Sequence, residues 1–119
     1  MNGPPRFTAG HNIAMKIPAH EFSRTVEFYM AILGLPLVEE EAPNIVFEFG
    51  GKRLWLDKVD SISQAEIWLE IQADDIDAAA EYLMRRGVVR RDEIEPLPDG
   101  FKGFWITNPA NIIHLISQD

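Results

Sequence analysis

The chain has 119 residues, 46% hydrophobic and 25% charged, which is the make-up of one ordinary globular domain able to bury a core without covalent staples. The absence of cysteine excludes disulfides, thiolate metal ligands and a Cys nucleophile. With 11 basic and 19 acidic residues the net charge is −8, which repels nucleic-acid phosphates, mildly favours cationic small molecules, and also serves plain solubility.

The opening stretch MNGPPRFTAG lacks an apolar signal region, and no apolar run approaches membrane length. A soluble, cytoplasmic protein without a membrane or nucleic-acid partner is therefore expected. IAMKI alternates apolar and polar residues and reads as a strand ending at Pro18. EFSRTVEFYMAILG follows with Phe22, Val26, Tyr29, Met30 and Leu33 at helical spacing and Gly34 as the stop. LPLVEEE is a short strand candidate whose acidic end is solvated. NIVFEF and KRLWLDKV form a hairpin across Gly50-Gly51, and VDSISQA is a linker.

The pattern then restarts. EIWLEIQA is a strand, and DDIDAAAEYLMRRG is a helix with the stripe Ile76, Ala79, Ala80 and Leu83, a cap at Asp74 or Asp75, and a stop at Gly87. VVRRDEIEPL is a weak strand, and GFWIT and NIIHLI flank the turn NPAN. Val26 matches Ala79, Tyr29 matches Tyr82, Gly34 matches Gly87 and Leu35 matches Val88 at one constant offset, so the chain reads as a duplicated α+β unit. The expected organisation is a single domain, 1–119, holding βαβββ modules at 11–58 and 66–118.

Turn positions set which side chains share a face. A two-residue Gly50-Gly51 loop puts Ile45, Phe47, Phe49, Leu54 and Leu56 on an apolar, helix-covered face. It puts Val46, Glu48, Arg53, Trp55 and Asp57 on the other, with a Glu48–Arg53 cross-strand pair. A two-residue Pro109-Ala110 loop pairs Trp105 with His114 and turns His114 away from the helix. Ile13, Met15 and Ile17 oppose Asn12, Ala14 and Lys16, while Ile67, Leu69 and Ile71 oppose Glu66, Trp68, Glu70 and Gln72. All three tryptophans thus leave the helix side, as the walls of a small-molecule trough or of a dimer interface would. His11 and His20 read as surface or strand-entry residues.

HNIAMKIPAHEFSRTVEFYMAILGL, ADDIDAAAEYLMRRGV and NPANIIHLI resemble the vicinal oxygen chelate superfamily, which contains glyoxalase I, bleomycin resistance proteins and extradiol dioxygenases. The resemblance spans about residues 11–118 and implies an α+β fold in which two βαβββ modules curl a mixed sheet around a cavity. The superfamily's metal ligands, carried over position by position, fall on Asn12, Trp55, Trp68 and His114, and only the last is a good ligand. The expectation is therefore no metal and no cofactor. The resemblance is nearest to the bleomycin resistance proteins, which are acidic, dimeric and metal-free, although NPAN is shorter than their Asp-Pro-x-Gly-Asn turn. It implies a homodimer that captures an amphipathic aromatic or cationic small molecule, with antibiotic resistance as one role of such capture. The binding residues expected are Asn12, Lys16, Trp55, Trp68, Glu70, Trp105 and His114, with Glu70 also a candidate general base. The alternative is a metal-dependent lyase, isomerase or dioxygenase of the glyoxalase type with displaced ligands.

Overall fold

In the computed structural model, which describes residues 4–119, the alternating segments form six strands and the two helical stripes form two helices. The described residues group into two compact units, His11–Trp68 and residues 4–10 together with Leu69–Asp119. The class is α+β with mixed strand pairing, as the pattern implied.

The His11–Trp68 unit contains most of strand β1 (Phe7–Pro18), helix α1 (Ala19–Glu27), β2 (Ile45–Phe49) and β3 (Lys52–Val59). β3 lies between β2, antiparallel to it, and β1, parallel to it. Gly50 and Gly51 both take positive φ, 59° and 83°, which closes the two-residue loop and pairs Phe47 with Leu54 and Val46 with Trp55 as expected. Ile17, Phe47, Leu54 and Leu56 are the buried heart of this unit, with Phe22, Val26, Tyr29 and Leu35 of the helical segment packed on them. Each such side chain contributes about 1.5–3 kcal/mol by leaving water. Phe49, on the same face at the turn, stays 44% exposed.

The first helix departs from its expected stripe. After Glu27 it widens into a π-helical turn, Phe28–Ile32, closed by Leu33 N donating to Phe28 O at 2.9 Å. The widened turn rotates Met30 and Leu33 off the packed face, and both are exposed. LPLVEEE is not a full strand: a single bridge joins Leu37 to Phe47, and Glu39–Glu41 is a 3₁₀ turn.

In the other unit, β4 (Glu66–Ala73, from Leu69 onward) runs parallel to β6 (Ile113–Gln118), which is antiparallel to β5 (Gly103–Thr107). Helix α2 (Ile76–Arg85) is capped by Asp75, whose carboxylate accepts from Ala78 N at 3.1 Å. The other cap candidate, Asp74, accepts instead from Arg6 N at 2.9 Å and fixes the incoming chain. Ile76 and Ala79 of α2 pack with Ala73, Phe104 and Ile116, and Ala80, Leu83, Ile71 and Phe7 surround them. The weak strand after α2 shrinks to one bridge, Arg90 to Ile106, matching the Leu37 bridge of the first unit.

The last hairpin corrects the expected register. Trp105 pairs with Leu115, and Ile106 pairs with His114. The loop is three residues, Pro109 to Asn111, with Asn108 N donating to Ile112 O at 3.0 Å and Asn111 in the left-handed region at φ 65°. A two-residue hairpin turn of the favoured types needs positive φ at its first position, which the proline ring forbids. No helix among the described residues is long and apolar enough to cross a membrane.

Candidate functional site

The polar face of the first unit is built by β1 and β3, whose parallel register sets Asn12 beside Arg53, Ala14 beside Trp55 and Lys16 beside Asp57. The Trp55 indole N–H donates to the Asn12 side-chain oxygen at 2.7 Å. Lys16 is only 7% exposed and donates to Asp57 Oδ2 at 2.9 Å. Its ammonium also stands 4.2 Å from the centre of the Trp68 ring, a cation–π contact. Trp68 in turn donates its indole N–H to Glu66 at 3.0 Å. This unit therefore carries four expected binding residues in two bonded groups, Asn12 with Trp55 and Lys16 with Trp68.

Arg53 does not take Glu48 as its partner. Its guanidinium pairs with Glu41, and Glu48 accepts from Gly51 N at 2.9 Å. The register is the expected one, but the bend of the Glu39–Glu41 turn brings a carboxylate within reach of Arg53, and the hairpin amide takes the other. Asp57 was not singled out from the sequence. Its role depends on the parallel β1–β3 register, which no turn fixes.

In the second unit, Glu70, Leu115 and Trp105 lie in one row across β4, β6 and β5. Ser117 donates to Glu70 Oε2 at 3.4 Å. Trp105 is only 5% exposed, and its indole N–H donates to Glu95 O at 2.8 Å. Its own carbonyl accepts from Arg91 N at 2.7 Å, and the Arg91 guanidinium bonds the Glu93 side chain and holds that carboxyl below its usual pKa. His114 lies on the opposite face from Trp105, in register with Leu69 and Ile106, and its Nδ1 is 3.0 Å from Ile112 O. The expected His114–Trp105 neighbourhood does not form, because the longer loop shifts the strand by one residue and turns the imidazole to the α2 side. His20 is exposed near Glu21, and His11 is exposed on β1.

The donor chemistry can be tested against a divalent metal. Asn12 and Trp55, the positions that resemble the first module's ligand pair, are bonded to each other, so the one oxygen able to face a cation is already accepting a hydrogen bond from the indole. The indole nitrogen is a donor only, its lone pair being part of the aromatic ring. At the corresponding end of the second unit the residue facing the Glu70 side of β6 is Leu115. Among the described residues no three His, Asp or Glu side chains are grouped to hold an ion. These residues do not fit the superfamily's metal. One consequence is measurable. Asn12→Ala should destabilise the fold by about 1–3 kcal/mol, because it strands the part-buried Trp55 N–H, and Trp55→Phe in the same chain should recover part of the loss. Additive losses in a double-mutant cycle of thermal melts would disprove the coupling.

Comparison with known proteins agrees with this architecture. Residues 12–107 match the family model described as a glyoxalase-like domain. Among curated proteins none matches. The Mn(II)-bound glyoxalase from Novosphingobium aromaticivorans superposes with a TM-score of 0.69 at 22% identity, over 97% of this chain and 40% of its own. Homoprotocatechuate 2,3-dioxygenase from Brevibacterium fuscum, in complex with 3,4-dihydroxyphenylacetate, gives 0.62 at 20% identity, over 98% of this chain and 38% of its own. A protein from Legionella pneumophila described as an NAD-dependent benzaldehyde dehydrogenase gives 0.58 at 16% identity, over 89% of this chain and 97% of its own. The chain thus spans well under half the length of the first two, and at these identities the likeness is one of fold. The match over most of the sequence, with the fold shared by these structures, places this chain in the glyoxalase-like domain family of the vicinal oxygen chelate superfamily.

Proposed function

We propose that the chain is a small-molecule-binding protein that works without the superfamily's divalent metal and captures an amphipathic aromatic or cationic ligand on its tryptophan-bearing polar face. The Asn12–Trp55 hydrogen bond carries the reading, since it closes off the position from which a first-strand ligand would reach a metal. Trp68 and Trp55 supply rigid apolar area, and Lys16 and Asp57 supply fixed polar groups beside it. Glu70 belongs to the same proposal as a second polar fixture on its own unit. A homodimer in the cytoplasm, acting on neither nucleic acid nor membrane, completes it, and sedimentation velocity reads the oligomer.

The test is ligand binding with and without metal. Tryptophan fluorescence titrated with a panel of aromatic probes should give the same affinity in EDTA-treated protein and in protein supplied with Mn, Zn, Ni or Fe. Elemental analysis of freshly purified protein should find no stoichiometric transition metal. Trp68→Leu should weaken binding, whereas His114→Ala, on the opposite face from Trp105, should not. Binding that requires added metal, or a stoichiometric ion, would overturn the reading in favour of a metal-dependent enzyme with displaced ligands.

A further inference from the structure

Resting on that reading, we infer that the ligand is an electron-rich aromatic carrying no charge or a negative one, and that cationic ligands are excluded by the chain's own ammonium group. The face of an indole ring is its electron-rich part and is what attracts a ligand cation to an aromatic wall. On Trp68 that role is already filled. Lys16 sits 4.2 Å from the ring centre, well inside the range of about 6 Å over which the attraction acts. It is held there by Asp57 at 2.9 Å and by burial, so it does not swing away into water to make room.

Two effects follow. A second positive charge brought to the same ring finds its cation-attracting face already taken by the Lys16 ammonium, so the ring has little attraction left to give it. The ring itself, drawn toward Lys16, prefers an offset partner that is rich in electrons, such as a phenol or an arene bearing an anionic group. The Glu66 carboxylate on the indole N–H adds density to the ring and so tightens its hold on Lys16. The two cations of this face are each held by a carboxylate, Arg53 by Glu41 and Lys16 by Asp57, while the Glu66 carboxylate is engaged by the Trp68 indole N–H and that of Glu48 by the Gly51 amide. The net charge of −8 favours cations only at long range, where salt screens it.

The experiment compares 2-naphthol, naphthalene-2-sulfonate and benzyltrimethylammonium by fluorescence titration and calorimetry on the intact wild-type chain. The naphthol and the sulfonate should bind at least about tenfold more tightly than the ammonium. Lys16→Met keeps the length of the side chain and removes the charge, and should raise affinity for the ammonium while weakening the sulfonate. An ammonium probe that binds as tightly as the other two in the wild type would overturn this inference and leave the metal-free reading standing. So would a selectivity ratio unchanged by Lys16→Met in a variant whose melting curve shows it folded. If Lys16→Met does not fold, the wild-type ratio decides alone. Binding of none of the three, or binding only with added metal, would overturn both.

Discussion

Phe47→Ala is expected to lower the unfolding free energy by about 3–5 kcal/mol, whereas Phe49→Ala, two residues along the same face, should change it by less than about 1 kcal/mol. Phe47 is completely buried among Ile17, Leu54 and Leu56, with the Tyr29 ring centred 5.9 Å away. Truncating it removes apolar area and leaves a cavity that strands on one side and a helical segment on the other cannot collapse to fill. Phe49 has lost little water to begin with, being 44% exposed. Urea unfolding of the two variants, followed by tryptophan fluorescence, separates them. Losses of similar size would mean that the β2–β3 register, or the face that α1 covers, is wrong.

That contrast shows where the sequence was legible. Gly50-Gly51 names its own turn, because both loop residues must have positive φ and both are glycine, and from that turn the faces of β2 and β3 follow by alternation. The second hairpin carried an equally physical signal in Pro109, whose ring cannot take positive φ. Asn111, a residue that tolerates the left-handed region, was available as the end of a longer loop. A two-residue loop at Pro109-Ala110 would require that forbidden φ, and the three-residue loop that forms instead slips the strand by one residue and carries His114 to the other face. The π-helical turn at Phe28–Ile32 had no comparable marker, since the spacing of Met30 and Leu33 fits an ordinary helix equally well.

The candidate site divides in the same way. The placing of Trp55 and Trp68 on polar faces came from alternation alone. The bonds that give those rings their character, Asn12 to Trp55 and Lys16 to both Asp57 and Trp68, depend on partners outside the hairpins. Strand pairing that is parallel and distant in sequence leaves no local trace. Glu48 and Arg53 show the reverse limit. Their register was legible, yet the ion pair went to Glu41 because a backbone amide and a turn offered better partners.

Gly10→Ala carries the second large effect, and its sign is informative. Alanine is the better strand residue, and where its methyl group fits the change stabilises by about 0.4–1 kcal/mol through the unfolded chain. In this structure the new Cβ would run into Glu70 Oε1 and would fall 2.5 Å from its Cγ and 2.7 Å from its Cβ. The carboxylate end can swing aside, but the Glu70 Cβ is fixed to β4 and moves only with the strand. The expected result is a loss of about 1–3 kcal/mol, the usual cost of overpacking. Adding Glu70→Ala should recover part of it by removing Oε1 and Cγ, and Glu70→Gly more, by removing the Cβ as well. The consequence for binding is separate from stability. Gly10 is what lets the Glu70 side chain lie flat along β1 with its carboxylate toward Ser117. In Gly10→Ala that carboxylate must be displaced, so any ligand affinity that depends on Glu70 should fall by as much as in Glu70→Gln, in protein that still melts cooperatively. A Gly10→Ala variant more stable than wild type would show that β1 and β4 stand farther apart at this point than the geometry places them, and would remove Glu70 from its assigned orientation.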